Sequence, residues 1–567
     1  MNKAVVHEAV IKQPWFWLLL LCAINFFAFL GGHTLWDVDE PNNAVCAREM
    51  LLAGNWWVPM FNGDYRFDKP ILIYWLMMPL DALFGVNEWS ARLPSALSLT
   101  ALVGVVWGMT RRLLENTPIA AGDPAMRERA ALMAAGLFAT ALHMVVIARA
   151  AVPDPLLMLS LGIALPALLI AYLERNPQVP GKMSAMLVLA YVAIGFGTLA
   201  KGPIAGLMPL LIVAAFLSLM GDWKSWSAFH PFKGMVIALA VALPWYIAVG
   251  VLTDGVWLEG FLFHHNLDRF TDPLQGHRGF PGLYVVSIFM GWFPWTGLLA
   301  AMLWFGSWRL QLLRDEPVRL FMLCWLGMYI VFFSVARTQL PNYVLPVFPA
   351  AAILMAWGWV FASDSVRQRA LLWLAWSVLM LSLGILIGGG VALDRMGAGE
   401  GEGVGEGIYI LAMLPILLAS SWWLWKKQGD LRVLLAASMA VSMLLLVGWS
   451  VPAIDHHKIS RTLAAKASNA GFDGSELASF RYFQPSLLFY HGGRLPLLND
   501  VQQVGAWMGE GKAVVMPQYA LQELPKAIVP YLIVHARVHG MYARTWLMLV
   551  SLQPLADAEE ERIWSNQ

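Results

Sequence analysis

Charged residues are scarce in this chain. Asp, Glu, Lys and Arg make up 13% of its 567 residues, whereas hydrophobic residues make up 59%. A soluble globular protein usually carries about 25% charged residues, so this chain has too little polar surface to cover a water-soluble body of its size. Burial in a lipid bilayer resolves that deficit. The net charge of +1 provides no global field that would recruit nucleic acid, so no nucleic-acid partner is expected.

Cysteine is also rare, with three residues at positions 22, 46 and 324. None stands in a Cys-x-x-Cys or Cys/His spacing, which argues against a structural zinc site. The sequence also lacks a Walker A loop, an HExxH helix and a GxSxG turn. The glycine-rich stretch 388–407 follows a hydrophobic run rather than a strand, so it is predicted to be a loop and not a dinucleotide site. These absences disfavour a nucleotide or nucleotide-sugar substrate.

Hydrophobic runs long enough to cross a bilayer recur through most of the chain. About thirteen spans are predicted, at 13–31, 92–110, 130–148, 154–173, 183–200, 203–220, 234–252, 282–304, 319–335, 343–362, 370–392, 407–425 and 431–450. The apolar run 70–84 is short and bounded by proline, and it is predicted to be an interfacial or re-entrant helix. The predicted fold class is therefore mainly α, a polytopic membrane protein.

Basic residues in the connecting loops predict the orientation. The N-terminal Lys3 and Lys12 share one side with the basic loops that follow the even-numbered runs, whereas the short loops on the opposite side carry one basic residue each. An inside N-terminus and thirteen spans place the C-terminal region outside. The first run lacks a small-residue cleavage site after it, so we expect it to be retained.

The character of the sequence changes at about residue 453. Polar residues return there, and short β-like runs occur at 512–516, 527–529 and 531–534. This pattern predicts a transmembrane domain over 1–452 and a small soluble α/β domain over 453–567. The long outer loops 32–91 and 253–281 contain aromatic and charged motifs, so they are predicted to be ordered, with interfacial helices, and functional.

Four motifs in the outer loops place acids and bases at a similar depth in the membrane. Their charged residues are Asp39, Glu40, Asp68, Lys69, Arg149, Asp154 and Lys201. Charges at such positions are costly unless they are paired or reach water, and acids with bases at one face suit a phosphate-bearing substrate better than an ion pathway. Two structural alternatives stay open: Asp39 also suits a helix start, and Asp68 with Lys69 also suits an interfacial pair.

Two further segments carry polar candidates. The first contains His265, Asn266 and His277, where one histidine could act with a carboxylate from another loop, or could be an interfacial polar residue. Adjacent histidines on one element point apart, so His264 and His265 are not expected to ligate one metal together. The second segment begins at Arg337 and reaches Tyr343, and both side chains could reach a headgroup.

In their order and spacing, these motifs resemble the bacterial lipid A aminoarabinose transferase and protein O-mannosyltransferase-like family of integral membrane glycosyltransferases, which has the C-type fold. The motifs that carry the resemblance are Asp39-Glu40, Ala47-Arg48-Glu49-Met50, Phe67-Asp68-Lys69-Pro70, Ala91-Arg92-Leu93-Pro94-Ser95, Arg149 with Asp154, Lys201-Gly202-Pro203, His265-Asn266-Leu267-Asp268-Arg269-Phe270, Leu340-Pro341-Asn342-Tyr343 and Gln484-Pro485-Ser486.

The resemblance implies an inverting transfer of a sugar from a polyprenyl-phosphate donor, at the periplasmic face of the bacterial inner membrane. It implies Asp39 as the leading catalytic candidate, with Asp154 as the second. Donor phosphate or sugar would be held by Lys69, Arg149, Lys201, Arg269, Arg337 and Tyr343. No cofactor is clearly required. A divalent metal is associated with some members, which points here to Asp68 and His265, although Asp68 stands where the family often has glutamate. Glu40, Asn266 and His277 are additional candidates.

Several functional alternatives stay open. The acceptor implied most directly is lipid A, with 4-amino-4-deoxy-L-arabinose or a related sugar as the group transferred; transfer of another sugar, such as mannose, to protein or envelope glycan is the alternative. Asp39 would remove a proton from a hydroxyl acceptor, but would only position an acceptor phosphate. A transporter or flippase would show inverted repeats and charges at the midplane of the bilayer, whereas the charges here cluster at span ends.

Overall fold

The computed structural model describes residues 13–117, 122–175, 183–267, 280–306, 308–395, 404–455, 458–539 and 545–553. The part that precedes residue 456 consists of helices, apart from one short hairpin. Its helices are Pro14–Cys22, Ala23–Phe27, Asp39–Leu52, Leu72–Phe84, Glu88–Glu115, Pro124–Thr140, Leu142–Ala148, Asp154–Leu173, Ala185–Lys201, Ile204–Met220, Trp223–Phe229, Pro231–Leu252, Val256–Glu259, Gly260–Leu267, Leu283–Gly291, Thr296–Phe305, Leu310–Arg314, Pro317–Val335, Pro341–Val347, Phe348–Phe361, Asp364–Arg395, Val404–Lys426, Leu431–Leu445, Leu446–Ser450 and Val451–Asp455.

Every predicted span coincides with helix, but the helices differ in length. Within the described residues, seven helices are long and apolar enough to cross a membrane, or nine if two pairs bent by 62° and 118° each count as one span. The other four predicted runs fall on shorter apolar helices, which are Pro14–Phe27, Ala185–Lys201, Ile204–Met220 and Leu411–Lys426. The protein is a multi-pass membrane protein, and the count of thirteen crossings stays a prediction.

Local sequence explains where several helices begin. The side chain of Asn87 accepts hydrogen bonds from the backbone N–H groups of Trp89 and Ser90, and Ser90 returns the bond in a capping box. Asp123 accepts from the N–H of Met126 in the same way. These side chains satisfy donors that have no partner inside the helix. Each cap therefore sets the start of a helix that leads into the membrane.

The surface of the helical part is apolar over a wide area. In the helical segment Trp223–Leu252, only 17% of the most apolar stretch of 18 residues is buried inside the protein. Phe232 and Val251 are both 73% exposed. A surface of this kind is stable in contact with lipid chains rather than with water.

The segment 32–91 is ordered, as predicted. It contains the helix Asp39–Leu52, the hairpin of β1 (Met60–Phe61) and β2 (Asp64–Tyr65), and the helix Leu72–Phe84, which matches the predicted interfacial helix. The helices Asp39–Leu52 and Leu72–Phe84 pack on each other. In the other predicted long loop, residues 253–267 are largely helical, and 268–279 lie outside the described residues.

The C-terminal part contains a mixed five-stranded sheet in the order β4-β3-β5-β7-β6. Its strands are β3 (Leu477–Phe480), β4 (Leu497–Leu498), β5 (Ala513–Pro517), β6 (Leu532–His539) and β7 (Trp546–Leu552). Its helices are Ser460–Asn469, Pro485–His491, Val501–Gly509, Gln518–Glu523 and Val529–Tyr531. The strand expected at 527–529 is wrong, because a turn leads there into a 3-10 helix that contains Pro530, a residue without a backbone donor.

The sheet shares one hydrophobic core with the segment 32–91. Leu35 and Val45 belong to the same buried cluster as Leu487, Val515 and Leu549. The C-terminal part therefore packs directly on the helix that begins at Asp39.

Candidate active site

One cavity of about 740 Å³ collects most of the charged residues that the sequence singles out. The candidates that line it are Asp39, Asp68, Lys69, Asp154, Lys201 and Tyr343. Apolar side chains form another part of its wall, among them Leu157, Leu207, Leu262 and Phe333. A charged end and an apolar wall in one cavity suit a molecule that has both a charged group and a hydrocarbon chain.

Asp39 is the first residue of the helix Asp39–Leu52. Its side chain is exposed and lines the cavity. The two interpretations from the sequence are therefore compatible, because the residue that begins the helix also presents its carboxylate to the cavity. Asn43 lines the cavity one turn further on, and its amide donates to the carbonyl oxygen of Ala151 at 2.9 Å.

Asp154 and Lys201 form an ion pair in the cavity wall, with 2.5 Å between Oδ1 and Nζ. Asp154 begins the helix Asp154–Leu173, and Lys201 ends the helix Ala185–Lys201. The ammonium also lies 5.7 Å from the centre of the Tyr343 ring. Because a lysine ammonium has three donors, Lys201 can bind Asp154 and a phosphate oxygen together.

The turn after Lys201 depends on glycine. Gly202 has a φ of +82°, and a Cβ there would lie 2.6 Å from the ring of Phe261, another residue of the cavity wall. Glycine alone fits this conformation and this close approach. The motif Lys201-Gly202-Pro203 thus sets both the charge and the shape of this part of the cavity.

Asp68 is oriented by a residue that the sequence analysis did not single out. The guanidinium of Arg66 pairs with Asp68 at 3.0 Å between Nη2 and Oδ2, and its Nε donates to the hydroxyl of Tyr74 at 3.2 Å. Arg66 is 7% exposed and lines the cavity. A sequence signal for Arg66 was present, since three charged residues within four positions precede an apolar run.

Comparison with known proteins supports the resemblance. A family model described as dolichyl-phosphate-mannose-protein mannosyltransferase matches residues 68–247. Undecaprenyl phosphate-alpha-4-amino-4-deoxy-L-arabinose arabinosyl transferase of Pectobacterium atrosepticum is 29% identical over 464 residues, which cover 79% of this chain and 78% of the relative. The enzyme of the same name from Edwardsiella ictaluri is 30% identical over 357 residues, which cover 63% of this chain and 61% of the relative. This chain is therefore similar to these membrane transferases over most of its length.

Two solved structures share the fold of this chain. The crystal structure of ArnT from Cupriavidus metallidurans bound to undecaprenyl phosphate superposes with a TM-score of 0.75 at 20% identity, and the match covers 94% of this chain and 97% of the other. The apo structure of the same protein matches with a TM-score of 0.76, at 20% identity and over 97% of this chain and 98% of the other. The protein therefore has the ArnT-like fold.

Glu40 does not line this cavity. Its buried carboxylate accepts from Nε and Nη2 of Arg92, both at 2.8 Å, and from the backbone N–H groups of Trp36 and Ala151. Burial raises the pKa of Glu40, but Arg92 and the other hydrogen bonds outweigh this and hold the pKa below its usual range. Glu40 is therefore an ionised link between the start of the Asp39 helix and the Ala151 loop.

We expect Arg92→Met to destabilise the protein severely, because it leaves the carboxylate of Glu40 buried without its cation. Arg92 is 0% and Glu40 4% exposed at the side chain, and breaking a buried pair of this kind costs about 3–5 kcal/mol. Thermal unfolding in detergent measures the loss. The control is Arg112→Met, which removes a half-exposed cation paired with Glu115 and Glu174 and should cost about 0–1 kcal/mol. Equal melting temperatures for the two variants would contradict the prediction.

Two arginines that were predicted to bind the donor are not among the residues that line this cavity. Arg149 does not line the cavity; its guanidinium donates to the carbonyl oxygens of Asn25 at 3.2 Å and Ala28 at 2.6 Å, at the end of the first helix. Arg337 is exposed, between the lining residues Ala336 and Thr338. Arg269 and His277 lie outside the described residues. For His265 and Asn266 the helical backbone is described, whereas their side chains are not.

No group of three or more His, Cys, Asp or Glu side chains that could hold a metal ion occurs among the residues that the structure describes. The carboxylate of Asp68, one of the two predicted ligands, is already paired with Arg66. A metal at Asp68 and His265 stays a prediction.

The loop that leads to Asp39 is held by the C-terminal part of the chain. The carboxylate of Asp455 accepts from the N–H of Thr34 at 3.0 and 3.1 Å and from its hydroxyl at 2.6 Å. The N–H of Leu35 donates to the hydroxyl of Tyr490 at 2.8 Å. These bonds connect residues more than 400 positions apart, and they immobilise the backbone just before the catalytic candidate.

Asp37 is bound by the helix Pro485–His491. The N–H of Ser486 donates to its Oδ1 at 2.9 Å, and the hydroxyl of Ser486 donates to its Oδ2. Burial raises the pKa of Asp37 above its usual range, and the two bonds from Ser486 offset part of that rise. Because Asp37 stands two residues before Asp39, this contact positions the catalytic candidate from outside the cavity.

We expect Ser486→Ala to lower turnover about tenfold while donor binding stays almost unchanged, since a displaced catalytic group costs rate more than affinity. Turnover and KM for the donor are measured with the purified enzyme. The control is Ser551→Ala, which removes a buried hydroxyl that contacts His535 in the same sheet but does not touch the Asp39 loop. If both variants keep normal turnover, Ser486 does not position Asp39.

Proposed function

We propose that this glycosyltransferase moves 4-amino-4-deoxy-L-arabinose, or a related sugar, from undecaprenyl phosphate to lipid A at the periplasmic face. The observation that carries the proposal is the single cavity in which Lys69, Lys201 and Asp39 lie beside an apolar wall. A lipid-linked sugar phosphate needs both surfaces. The names of the sequence relatives and the lipid bound to ArnT agree with this substrate class.

The charges of the cavity suit the leaving group. When the bond between the sugar C1 and the phosphate oxygen breaks, negative charge grows on the polyprenyl phosphate. Lys201 and Lys69 stabilise that charge, and the ring of Tyr343 beside Lys201 forms the side of the phosphate pocket. The apolar side chains Leu207, Leu262 and Phe333 accommodate the first isoprene units.

Asp39 faces the acceptor in this arrangement. The new bond joins the sugar C1 to an acceptor oxygen on the side opposite the departing phosphate, which inverts the anomeric carbon. For a hydroxyl acceptor, the proton passes to the carboxylate of Asp39. For a lipid A phosphate, which is already ionised, Asp39 positions the acceptor, and no proton needs to be removed.

Transfer to protein or to an envelope glycan is the second candidate. The observation that favours it is the family model, whose description names a protein mannosyltransferase and whose match includes Lys69, Asp154 and Lys201. The two candidates differ in the acceptor rather than in the chemistry at the sugar carbon.

The decisive experiment is mass spectrometry of lipid A and envelope glycans from cells with and without the protein. The expected result is a lipid A species heavier by one aminopentose that disappears when the protein is absent. A purified-enzyme assay with undecaprenyl-phosphate aminoarabinose then establishes the donor. Unchanged lipid A together with a lost glycan or glycoprotein would replace lipid A as the acceptor, and no change in any of them would overturn the proposal.

We infer a topology of thirteen spans, with the N-terminus in the cytoplasm and the sheet of residues 477–552 in the periplasm. The basic loops support this orientation. So does the contact between the C-terminal part and Asp37, because the two must then lie on one side of the membrane. A periplasm-dependent reporter fused after residue 460 should be active, and a reporter active only in the cytoplasm would overturn the orientation.

A further inference from the structure

A second cavity, of about 690 Å³, lies at the other end of the helices from the cavity of Asp39. The chain from Tyr343 to Trp359 connects the two cavities, since Tyr343 lines the first and Trp359 lines the second. At about 1.5 Å per helical residue, the chain from Tyr343 to Trp359 extends about 24 Å along its axis. This length is close to the thickness of the hydrocarbon core of a bilayer. The second cavity therefore opens near the opposite membrane surface.

Guanidinium groups surround its mouth. Arg129, Arg367 and Arg432 line the cavity together with one acid, Asp430. Arg432 pairs with Asp430 at 2.6 Å and lies 4.2 Å from the centre of the Trp359 ring. These contacts fix the guanidinium of Arg432 in place, and the mouth keeps an excess of positive charge.

Arg367 is also held in place at the mouth. It donates to the carbonyl oxygens of Trp359 at 3.0 Å and Val360 at 2.9 Å. Its acidic neighbour Asp364, at 3.2 Å, is 91% exposed, so water screens that charge strongly. The cation of Arg367 is thus anchored mainly by neutral oxygens.

Below the arginines the cavity is apolar. Met133, Leu137 and Trp295 form its deeper wall. The segment from Arg129 to Leu137 extends about 12 Å along one helix. At Gly136 a Cβ would meet nothing within 4 Å, so an open space remains at this depth. The cavity has a cationic mouth and a deep hydrocarbon-like interior.

We propose that this second cavity binds a lipid phosphate, with the phosphate at the three arginines and the start of its hydrocarbon chain against Gly136 and Leu137. Guanidinium groups form strong charge-assisted hydrogen bonds with phosphate oxygens. Basic pockets between membrane helices are a recognised kind of site for lipid headgroups. Neither free phosphate nor an uncharged lipid satisfies both halves of the cavity. The two sources of such a ligand are an anionic glycerophospholipid and a polyprenyl phosphate.

Native mass spectrometry of the delipidated full-length protein tests this site. The probes are phosphatidylglycerol, cardiolipin, undecaprenyl phosphate, zwitterionic phosphatidylethanolamine and inorganic phosphate. One anionic lipid should bind about tenfold more tightly than phosphatidylethanolamine, and inorganic phosphate should bind more weakly than that lipid. Because undecaprenyl phosphate is also proposed to bind the cavity of Asp39, the source is the anionic lipid whose binding is weakened by the variants of the second cavity. Equal binding of phosphatidylethanolamine, or of inorganic phosphate, would overturn the proposal.

Variants assign the binding to this cavity. Gly136→Leu extends a side chain into the interior from a position where a Cβ meets nothing within 4 Å, and we expect it to weaken binding of the anionic lipid at least tenfold. Gly108→Leu is the matched control, because a Cβ at Gly108 also meets nothing within 4 Å but Gly108 does not line the cavity. Arg129→Gln keeps the interior and should weaken binding about fivefold, since one basic residue near a membrane surface contributes about 1 kcal/mol.

Wild-type affinity in both Gly136→Leu and Arg129→Gln would overturn the proposal. The second variant keeps it testable if the first does not fold. Transfer activity is measured separately. A protein that transfers sugar normally but does not bind lipid here rejects this site alone, whereas lipid binding without transfer rejects only the proposed function.

Discussion

Replacement of Asp39 by asparagine is expected to reduce sugar transfer about 10²–10⁴-fold if the acceptor is a hydroxyl group, the range that loss of a general base produces. Asparagine has nearly the same size but no negative charge, and the helix Asp39–Leu52 can still begin there. Turnover is measured with a polyprenyl-phosphate sugar and the purified enzyme. Near-normal turnover at normal expression would exclude Asp39 from the chemistry.

A control variant and a second acceptor make the result of the Asp39→Asn experiment specific. Asp64→Asn removes an exposed carboxylate in the neighbouring hairpin, outside the cavity, and should leave turnover unchanged. Comparing a hydroxyl acceptor with a phosphate acceptor separates the two roles of Asp39. A base is needed only for the hydroxyl, so a much smaller defect with the phosphate acceptor would identify a base. Equal defects with both acceptors would indicate positioning.

Lys201→Met is expected to lower kcat/KM about 10²–10³-fold, because it removes a donor aimed at the charge that develops on the leaving phosphate. Methionine preserves most of the length and the apolar stem of lysine. The single variant also leaves Asp154 buried without its partner at 2.5 Å, so a loss of stability will accompany the loss of rate.

A double variant separates rate from stability. In Asp154→Asn with Lys201→Met the unpaired charge is gone, so the melting temperature should recover relative to Lys201→Met alone. Turnover should not recover, because the phosphate still lacks its ammonium group. Recovery of both quantities would mean that Lys201 serves only to neutralise Asp154.

The helical part of the fold could be predicted almost completely, because hydrophobic runs of span length are a strong signal. The run 130–148 shows the limit of that signal. It is a single apolar stretch in the sequence, yet the chain bends by 62° between Pro124–Thr140 and Leu142–Ala148. Composition indicates that a segment partitions into lipid, but the direction of a helix depends on the elements that it packs against.

The candidate site was predicted to a similar extent. Asp39, Asp68, Lys69, Asp154, Lys201 and Tyr343 were recognised from their motifs, and they line one cavity. Arg66 was missed, because burial of an arginine beside its acid depends on the fold. Arg149 was expected at the donor, but its side chain turns to the carbonyl groups at the end of the first helix. A short loop cannot reveal which way its side chains point.

The sequence by itself determined the class of this protein: a chain with so few charges and so many apolar runs must lie in a membrane, and the charges of its motifs stand at or beyond the ends of those runs. The tertiary structure alone decided that Glu40, adjacent to Asp39, is used to bind Arg92, and that the Asp39 loop is held by Asp455, Ser486 and Tyr490. The physical reason is distance along the chain. Bilayer partition depends on local composition, whereas a buried hydrogen bond between residues more than 400 positions apart exists only after folding has brought them together.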